Sequence, residues 1–307
     1  MRAEFRGFAA TPDQEGRRLD RVLRGLYADV PLAAIMRKIR KGEVRVNGRK
    51  SEGACRLVSG DVVGVPWGEP EIRRPIPAAA SSRGARGIGG LKTLLRDDGV
   101  WFVDKPAGLL SQPDKSTNDS VITRAWAELS WDRSDFRPAL IHRLDRNVSG
   151  VMAIAMNARL LRLLSELMRE RGITKTYRAI VEGSPPERGE VNMPLLKDES
   201  RNIVKVDQRG RAALTRYRTL WNDGRHALVD LELVTGRPHQ ARVHMSSIGC
   251  PIAGDAKYGG TAAGRLLLHS YSLTFPDIQE LPEILRGAVV SCEPPLEFTK
   301  INRYINE

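Results

Sequence analysis

The segment Ile141-His142-Arg143-Leu144-Asp145-Arg146-Asn147-Val148-Ser149-Gly150 is dense in polar groups and lies between two apolar runs. Arg143 and Arg146 put positive charge on either side of Asp145. An ionised aspartate in a cleft can act as nucleophile or as base. An isolated Asp in such a stretch more often closes a turn, here through Asn147 and Gly150. A second segment is Thr235-Gly236-Arg237-Pro238-His239-Gln240-Ala241-Arg242-Val243-His244, in which a strand runs into a turn and then a helix start. Strand ends aim polar groups at clefts, and the free N–H groups of a helix start can hold phosphate. The plainer alternative is a helix cap with solvated polar neighbours. His239 and His244 are five apart, off one helical face, so they do not form a metal pair. The third segment is Lys175-Thr176-Tyr177-Arg178. A Tyr entering a strand is a core residue by default, and becomes a base-stacking platform only where it faces a cleft.

Several kinds of chemistry have no matching pattern. There is no Gly-x-x-x-x-Gly-Lys-Ser/Thr loop, no Gly-x-Gly-x-x-Gly after a strand, no His-Glu-x-x-His and no Gly-x-Ser-x-Gly. Three scattered cysteines, Cys55, Cys250 and Cys292, exclude a disulfide scaffold and a Cys-x-x-Cys zinc site, and fit a reducing cytoplasm. Neither a nucleotide cofactor nor a catalytic metal is expected.

The elements that must position these groups are legible from periodicity. Val100–Val103 and Val151–Met156 are apolar runs suited to buried strands. Leu160, Leu161, Leu164, Leu167 and Met168 mark a helix that Gly172 should end. Tyr177–Val181 is strand-like, and Ala227, Val229, Leu231 and Leu233 alternate as in a half-buried strand. Ala241, Met245 and Ile248 mark a short helix closed by Gly249. Arg242, about 100° from that stripe, sits at the core edge and needs a carboxylate partner. The mixture implies an α+β fold with a mainly antiparallel, mixed sheet around a central cleft.

The N-terminal third reads differently. Leu19, Val22, Leu23 and Leu26 make an amphipathic helix, and Leu32, Ile35, Met36 and Ile39 make a second. The opposite face of the second carries Arg37, Lys38, Arg40 and Lys41. Val44 and Val46 then alternate with charge up to Asn47-Gly48, a strong hairpin signal, so Arg45 and Arg49 flank a tight turn. Residues 68–93, rich in Pro, Gly, Ser and Ala, read as a linker. Net charge is +12, and residues 1–93 hold 19 Lys/Arg against 10 Asp/Glu, so most of the excess sits in this third. Such asymmetry points to a polyanionic partner, above all nucleic acid. No apolar stretch is long enough for a membrane span, and Met1–Arg6 has no signal-peptide character.

Two resemblances follow from these residues. The phrase RLDRVL…IMRKIRKGEVRVNGRK…RLVSGDVV, residues 17–67, resembles the alpha-L RNA-binding domain. It implies binding of structured RNA through the second helix and the following loop. The pieces DKPAG at 104–108, HRLDRNVSG at 142–150, KTY at 175–177, TGRPHQARVHM at 235–245 and PIAGDAKYGG at 251–260 keep a family's order. They resemble the ribosomal large-subunit pseudouridine synthases of types A, C and D, and are nearest to types C and D. Val148 and Ala241 stand where that family has Thr and a larger aliphatic residue.

The resemblance implies a catalytic domain over 94–307 and a small α/β RNA-binding domain over 1–67, joined by the linker. It implies Asp145 as catalytic aspartate, Tyr177 stacking on the target uracil, and Arg242 pairing with Asp145 through a bidentate fork. Arg143 is expected on RNA, together with the six N-terminal cations. The reaction implied is isomerisation of uridine in large-subunit ribosomal RNA or its pre-ribosomal particle by a monomer without cofactor. A noncatalytic RNA-binding or assembly factor would lack Asp145 or Arg242. A methyltransferase with the same N-terminal domain would need a Gly-rich adenosine loop.

Overall fold

The structure is a computed structural model describing residues 6–27, 29–67, 90–129, 136–261 and 264–298. Most of the expected linker, and residues 299–307, lie outside these. Two units are distinguished: residues 1–90 with 125–139 and 155–162, and the remainder. The division differs from the expected one because two pieces of the later sequence belong with the N-terminal unit. There the Asp13 carboxylate accepts the Ala158 N–H at 2.9 Å.

In the first unit β1 (Arg6–Ala9), α1 (Leu19–Leu26), α2 (Leu32–Arg40), β2 (Arg45–Val46), β3 (Arg49–Lys50) and β4 (Val62–Val65) follow in chain order. The strands form a sheet in the order β1-β4-β2-β3, so the sheet starts well before residue 17. The expected helical stripes are buried at Leu19, Val22, Leu23, Ile35 and Ile39, packed with Val44, Leu57, Val63 and Val65. Each such side chain contributes roughly 1.5–3 kcal/mol by leaving water. Leu32 is the exception at 45% exposure, because it occupies the first turn of α2 after Pro31. Asn47 (φ 51°) and Gly48 (φ 74°) both adopt the left-handed conformation that a two-residue hairpin of this twist requires.

The second part of the chain contributes β5 (Lys92–Arg96), β6 (Val100–Lys105), α3 (Val121–Leu129), β7 (Ala139–Leu140), β8 (Ser149–Ala155), α4 (Ala158–Arg169) and β9 (Thr174–Glu182). It continues with β10 (Arg188–Asn192), β11 (Leu195–Asp198), β12 (Ile203–Val206), β13 (Leu214–Asn222), β14 (His226–Leu233), α5 (Gln240–Ser247), β15 (Leu268–Thr274) and β16 (Val289–Ser291). β5 starts inside the segment read as linker, since Lys92 and Thr93 pair with Asp104 and Val103. The large sheet runs β10-β13-β14-β9-β15-β8-β6-β5, with β16 beside β15 and β7 beside β8. Pairing is antiparallel from β10 through β15, whereas β15 and β8 are parallel. That is the mixed, mainly antiparallel sheet expected.

β8 is buried at every position, as its unbroken apolar run requires, and β14 alternates strictly. Gly150, at φ 110°, permits the parallel pairing: a Cβ there would lie 2.2 Å from the Ser270 carbonyl oxygen. α4 ends at Arg169, and Arg171 (φ 63°), not Gly172, makes the left-handed reversal. Among the described residues no helix is long and apolar enough to cross a membrane.

Candidate active site

Asp145 lies in the loop that leads into β8, on the wall of a cleft of about 1310 Å³ in the second unit. Its loop is fastened from three directions. Its own carbonyl accepts the Val148 N–H at 3.1 Å, closing a turn. Ser111 Oγ accepts the Leu144 N–H (3.1 Å) and donates to the Leu144 carbonyl (2.7 Å). Lys105, wholly buried at the end of β6, donates from Nζ to the carbonyls of Pro106 (3.0 Å), Arg146 (2.9 Å) and Val148 (2.6 Å). Burial pushes the Lys105 amine down to about 7, and the nearby Asp145 charge pulls it up. Three carbonyl acceptors for three ammonium protons act in the same direction as Asp145. The Asp145 side chain itself remains 36% exposed. A turn and an open carboxylate therefore coincide at one residue, and the two readings of Asp145 are not exclusive.

Arg242 reaches this carboxylate from the first turn of α5, but its fork goes elsewhere. Nε and Nη2 donate to Asp255 Oδ2 (2.7 Å) and Oδ1 (2.8 Å). Asp255 is buried. Only Nη1 faces Asp145, 3.4 Å from Oδ2. The expected pairing exists but is single-pronged; the bidentate partner is Asp255, from the PIAGDAKYGG segment. Fork geometry favours the buried carboxylate, which has no water to compensate for a lost partner.

α5 is seated by a buried amide. Gln240 Oε1 accepts from Thr235 Oγ1 (2.6 Å) and the Arg237 N–H (3.0 Å), while Nε2 donates to the Leu214 carbonyl (2.9 Å) and Thr215 Oγ1 (3.0 Å). All four hydrogen-bonding positions are used. His244 is likewise internal, bonded to Thr215 Oγ1 and the Met193 carbonyl. Ala241 and Met245 are buried as expected, and Ile248 only partly. Ala241 and Val148 both fill apolar positions, so the departures from the family pattern occupy packed interior.

Tyr177 is in β9, opposite Leu231 and Ser270, and lines the cleft although it is 8% exposed. Burial and the Asp145 charge raise its phenol above the usual tyrosine range, against a hydrogen bond with Ser270, so the hydroxyl keeps its proton. Arg143 is exposed on the rim. His142 accepts the Ala153 N–H at Nε2 (3.3 Å), and burial with the Lys175 charge pushes it down to about 4. Among the described residues no His, Cys, Asp and Glu cluster could hold a metal ion.

His142 carries an expected result. Between about pH 6.5 and about 4 the unfolded chain binds a proton at His142 that the folded chain does not. Stability therefore falls as pH drops through that window, by on the order of 2 kcal/mol. His142→Gln keeps an acceptor for the Ala153 N–H but cannot charge. The urea midpoint should fall less for the variant between pH 7 and 4.5, and equal falls contradict a neutral His142 in the folded chain.

Residues 99–247 match the family described as RNA pseudouridylate synthase. Ribosomal large subunit pseudouridine synthase C of Vibrio cholerae is 34% identical over 280 residues, 86% of each chain. The protein of the same name from Escherichia coli K12 is 34% identical over 287 residues, 87% of each chain. This chain belongs to the RNA pseudouridylate synthase family. Among solved structures, human RNA pseudouridylate synthase domain containing 4 is 26% identical with a TM-score of 0.56, covering 74% of this chain and 95% of that one. Human RNA pseudouridylate synthase domain containing 1, at 20% identity and TM-score 0.52, shares the fold.

As a pseudouridine synthase the chain brings Asp145, Tyr177 and Arg242 to one cleft, with Arg143 at its edge. Sequence reasoning missed Lys105, Ser111 and Asp255. Lys105 lies inside DKPAG and Asp255 inside PIAGDAKYGG, so charged residues within short apolar or Gly-rich phrases were the available signal. Ser111 had none. The N-terminal cations lie in the other unit. Arg37, Arg40, Lys41 and Arg49 are exposed, whereas Lys38 is ion-paired with Glu43 and Arg45 donates to the nearby Gly42 and Gly48 carbonyls.

Proposed function

We propose that this pseudouridine synthase isomerises uridines of large-subunit ribosomal RNA in the cytoplasm, as a monomer needing neither nucleotide nor metal, with Asp145 as the acting carboxylate. The observation that carries the assignment of roles is a partly exposed carboxylate on the wall of a cleft shared with Tyr177 and steadied by Arg242 Nη1. The reaction breaks the N1–C1′ bond, turns the uracil and joins C5 to C1′. The proton leaving C5 and the proton gained by N1 balance, so no redox partner or hydrolytic water is consumed. Attack of a carboxylate at C1′ and its removal of a C2′ proton both need an ionised oxygen open to the sugar. A uridine within a helix must be turned out to reach the cleft. Tyr177 holds the uracil face by stacking. Tritium release from C5-labelled large-subunit RNA transcripts tests the substrate class. Release from transfer RNA transcripts alone would move the target to another RNA.

In this reading the N-terminal unit is the alpha-L-like RNA-binding domain, and its exposed cations meet phosphates rather than bases. Reversing two of them, Arg37→Glu with Lys41→Glu, should weaken binding to all structured RNAs about equally. The slope of log K against log salt should become shallower by roughly one unit per lost contact. Anisotropy titrations between 50 and 200 mM KCl, on the order of the range where this effect is large, provide the check. A changed choice of uridine at unchanged affinity contradicts it.

A further inference from the structure

Both groups that address the Asp145 carboxylate address the same oxygen. Arg242 Nη1 is 3.4 Å from Oδ2, and His239 Nε2 is 3.8 Å from Oδ2. Oδ1 has no hydrogen-bond donor among the described residues. His239 is not a solvated cap residue: its side chain is 11% exposed, and its backbone holds a left-handed φ of 52° at the start of α5. Its other ring nitrogen, Nδ1, is 2.6 Å from the Tyr258 hydroxyl. That hydroxyl already accepts the Val204 N–H at 3.0 Å.

The Tyr258 hydroxyl at Nδ1 and the Asp145 carboxylate at Nε2 together favour one imidazole tautomer. Among the described residues the Tyr258 hydroxyl hydrogen has one acceptor, His239 Nδ1. With Tyr258 Oη accepting the Val204 N–H and its own O–H donating to Nδ1, the ring proton sits on Nε2 and faces the acceptor Asp145 Oδ2, whereas the reverse arrangement would set a ring lone pair against that carboxylate. Burial lowers the His239 pKa, Arg242 and Lys257 lower it further, and the charges of Asp145 and Asp255 oppose them. The ring is thus neutral at pH 7. The Arg242 guanidinium, 4.9 Å from the Tyr258 ring centroid, packs on the same tyrosine.

We propose that His239 is a positioning residue for Asp145: held by Tyr258, it shares Oδ2 with Arg242 and leaves Oδ1 as the oxygen that acts on the nucleotide. The inference rests on Asp145 being the acting carboxylate. A gap of 3.8 Å is longer than a hydrogen bond, and catalytic contacts of this kind tighten when the substrate is bound.

The test uses full-length protein and single-turnover tritium release from C5-labelled large-subunit RNA, with RNA affinity measured in parallel. His239→Ala should slow release about 10- to 100-fold while the Kd for RNA stays within about threefold. His239→Gln, whose amide N–H reaches about as far as Nε2, should recover most of the rate. Tyr258→Phe should fall between them, because the ring proton is no longer assigned to Nε2. A wild-type rate in His239→Ala, a glutamine variant no faster than the alanine variant, or an affinity loss matching the rate loss each overturns the proposal. Asp145→Asn run alongside separates the two readings. If it is inactive while His239→Ala is unimpaired, only the role of His239 falls. If it is fully active, the assignment of Asp145 falls as well.

Discussion

Asp145→Asn is expected to reduce pseudouridine formation by more than about 10³-fold, the scale of losing a nucleophile or base. The change removes charge with almost no change of shape. The loop is held by backbone and neighbouring groups, namely Lys105 on the Arg146 and Val148 carbonyls and Ser111 on Leu144, none of which touches the Asp145 carboxylate. The fold and the affinity for RNA should therefore stay close to wild type, and the loss should appear in the chemical step. Tritium release from C5-labelled RNA under single-turnover conditions, with anisotropy for binding, separates the two. Release at the wild-type rate from the asparagine variant would remove Asp145 from the mechanism. A parallel loss of binding would assign it a structural role.

Asp255→Asn should be the most damaging change to stability at the site. Asp255 is buried, and its two oxygens take Nε and Nη2 of Arg242. An amide in that place turns an N–H donor toward a guanidinium that only donates, and leaves a largely buried charge with only the single Nη1 contact to Asp145. Breaking a buried pair in this way costs roughly 3–5 kcal/mol. The effect reaches the chemistry as well, because Nη1 of the same guanidinium faces Asp145. An arginine no longer fixed by its fork cannot hold that third nitrogen in place, and kcat should fall by about 10²-fold in the fraction that remains folded. Arg242→Lys should show the same loss of rate with a smaller loss of stability, since one ammonium cannot serve Asp255 and Asp145 together. Urea unfolding, read as a midpoint shift at unchanged slope, measures the first effect. Wild-type midpoint and kcat in Asp255→Asn would show that the fork contributes to neither.

The elements were legible because their signals are local. An i, i+3, i+4, i+7 stripe marks α1 whatever it packs on, Asn47-Gly48 makes a tight turn from its own backbone preferences, and alternation along β14 follows from the two-residue repeat of a strand. Asp145, Tyr177 and Arg242 were singled out on another ground. The segments around them keep the order and residue types of a known family, and the chain's family membership bears that resemblance out. The domain limits were less so. Residues 125–139 and 155–162 join the N-terminal unit through contacts such as Asp13 to Ala158, 145 positions apart, which no composition change announces.

What the sequence by itself determined was which side chains are present in polar segments at strand ends, and that their excess positive charge gathers in the first third. Which atom meets which was decided by tertiary structure. Arg242 has one carboxylate 13 positions away and another 97 positions away, and the chain's periodicity ranks neither above the other. The ranking comes from burial: Asp255 is enclosed and takes the fork, while Asp145 stays partly open and takes the remaining nitrogen. The buried Lys105 amine reaches Val148 across 43 positions. β8 and β15 meet in parallel because Gly150 lets the Ser270 carbonyl come close. Backbone repeats are written within a few residues, whereas the pairing of remote polar groups depends on sheet register and on which of them lose water, and both exist only in the folded chain.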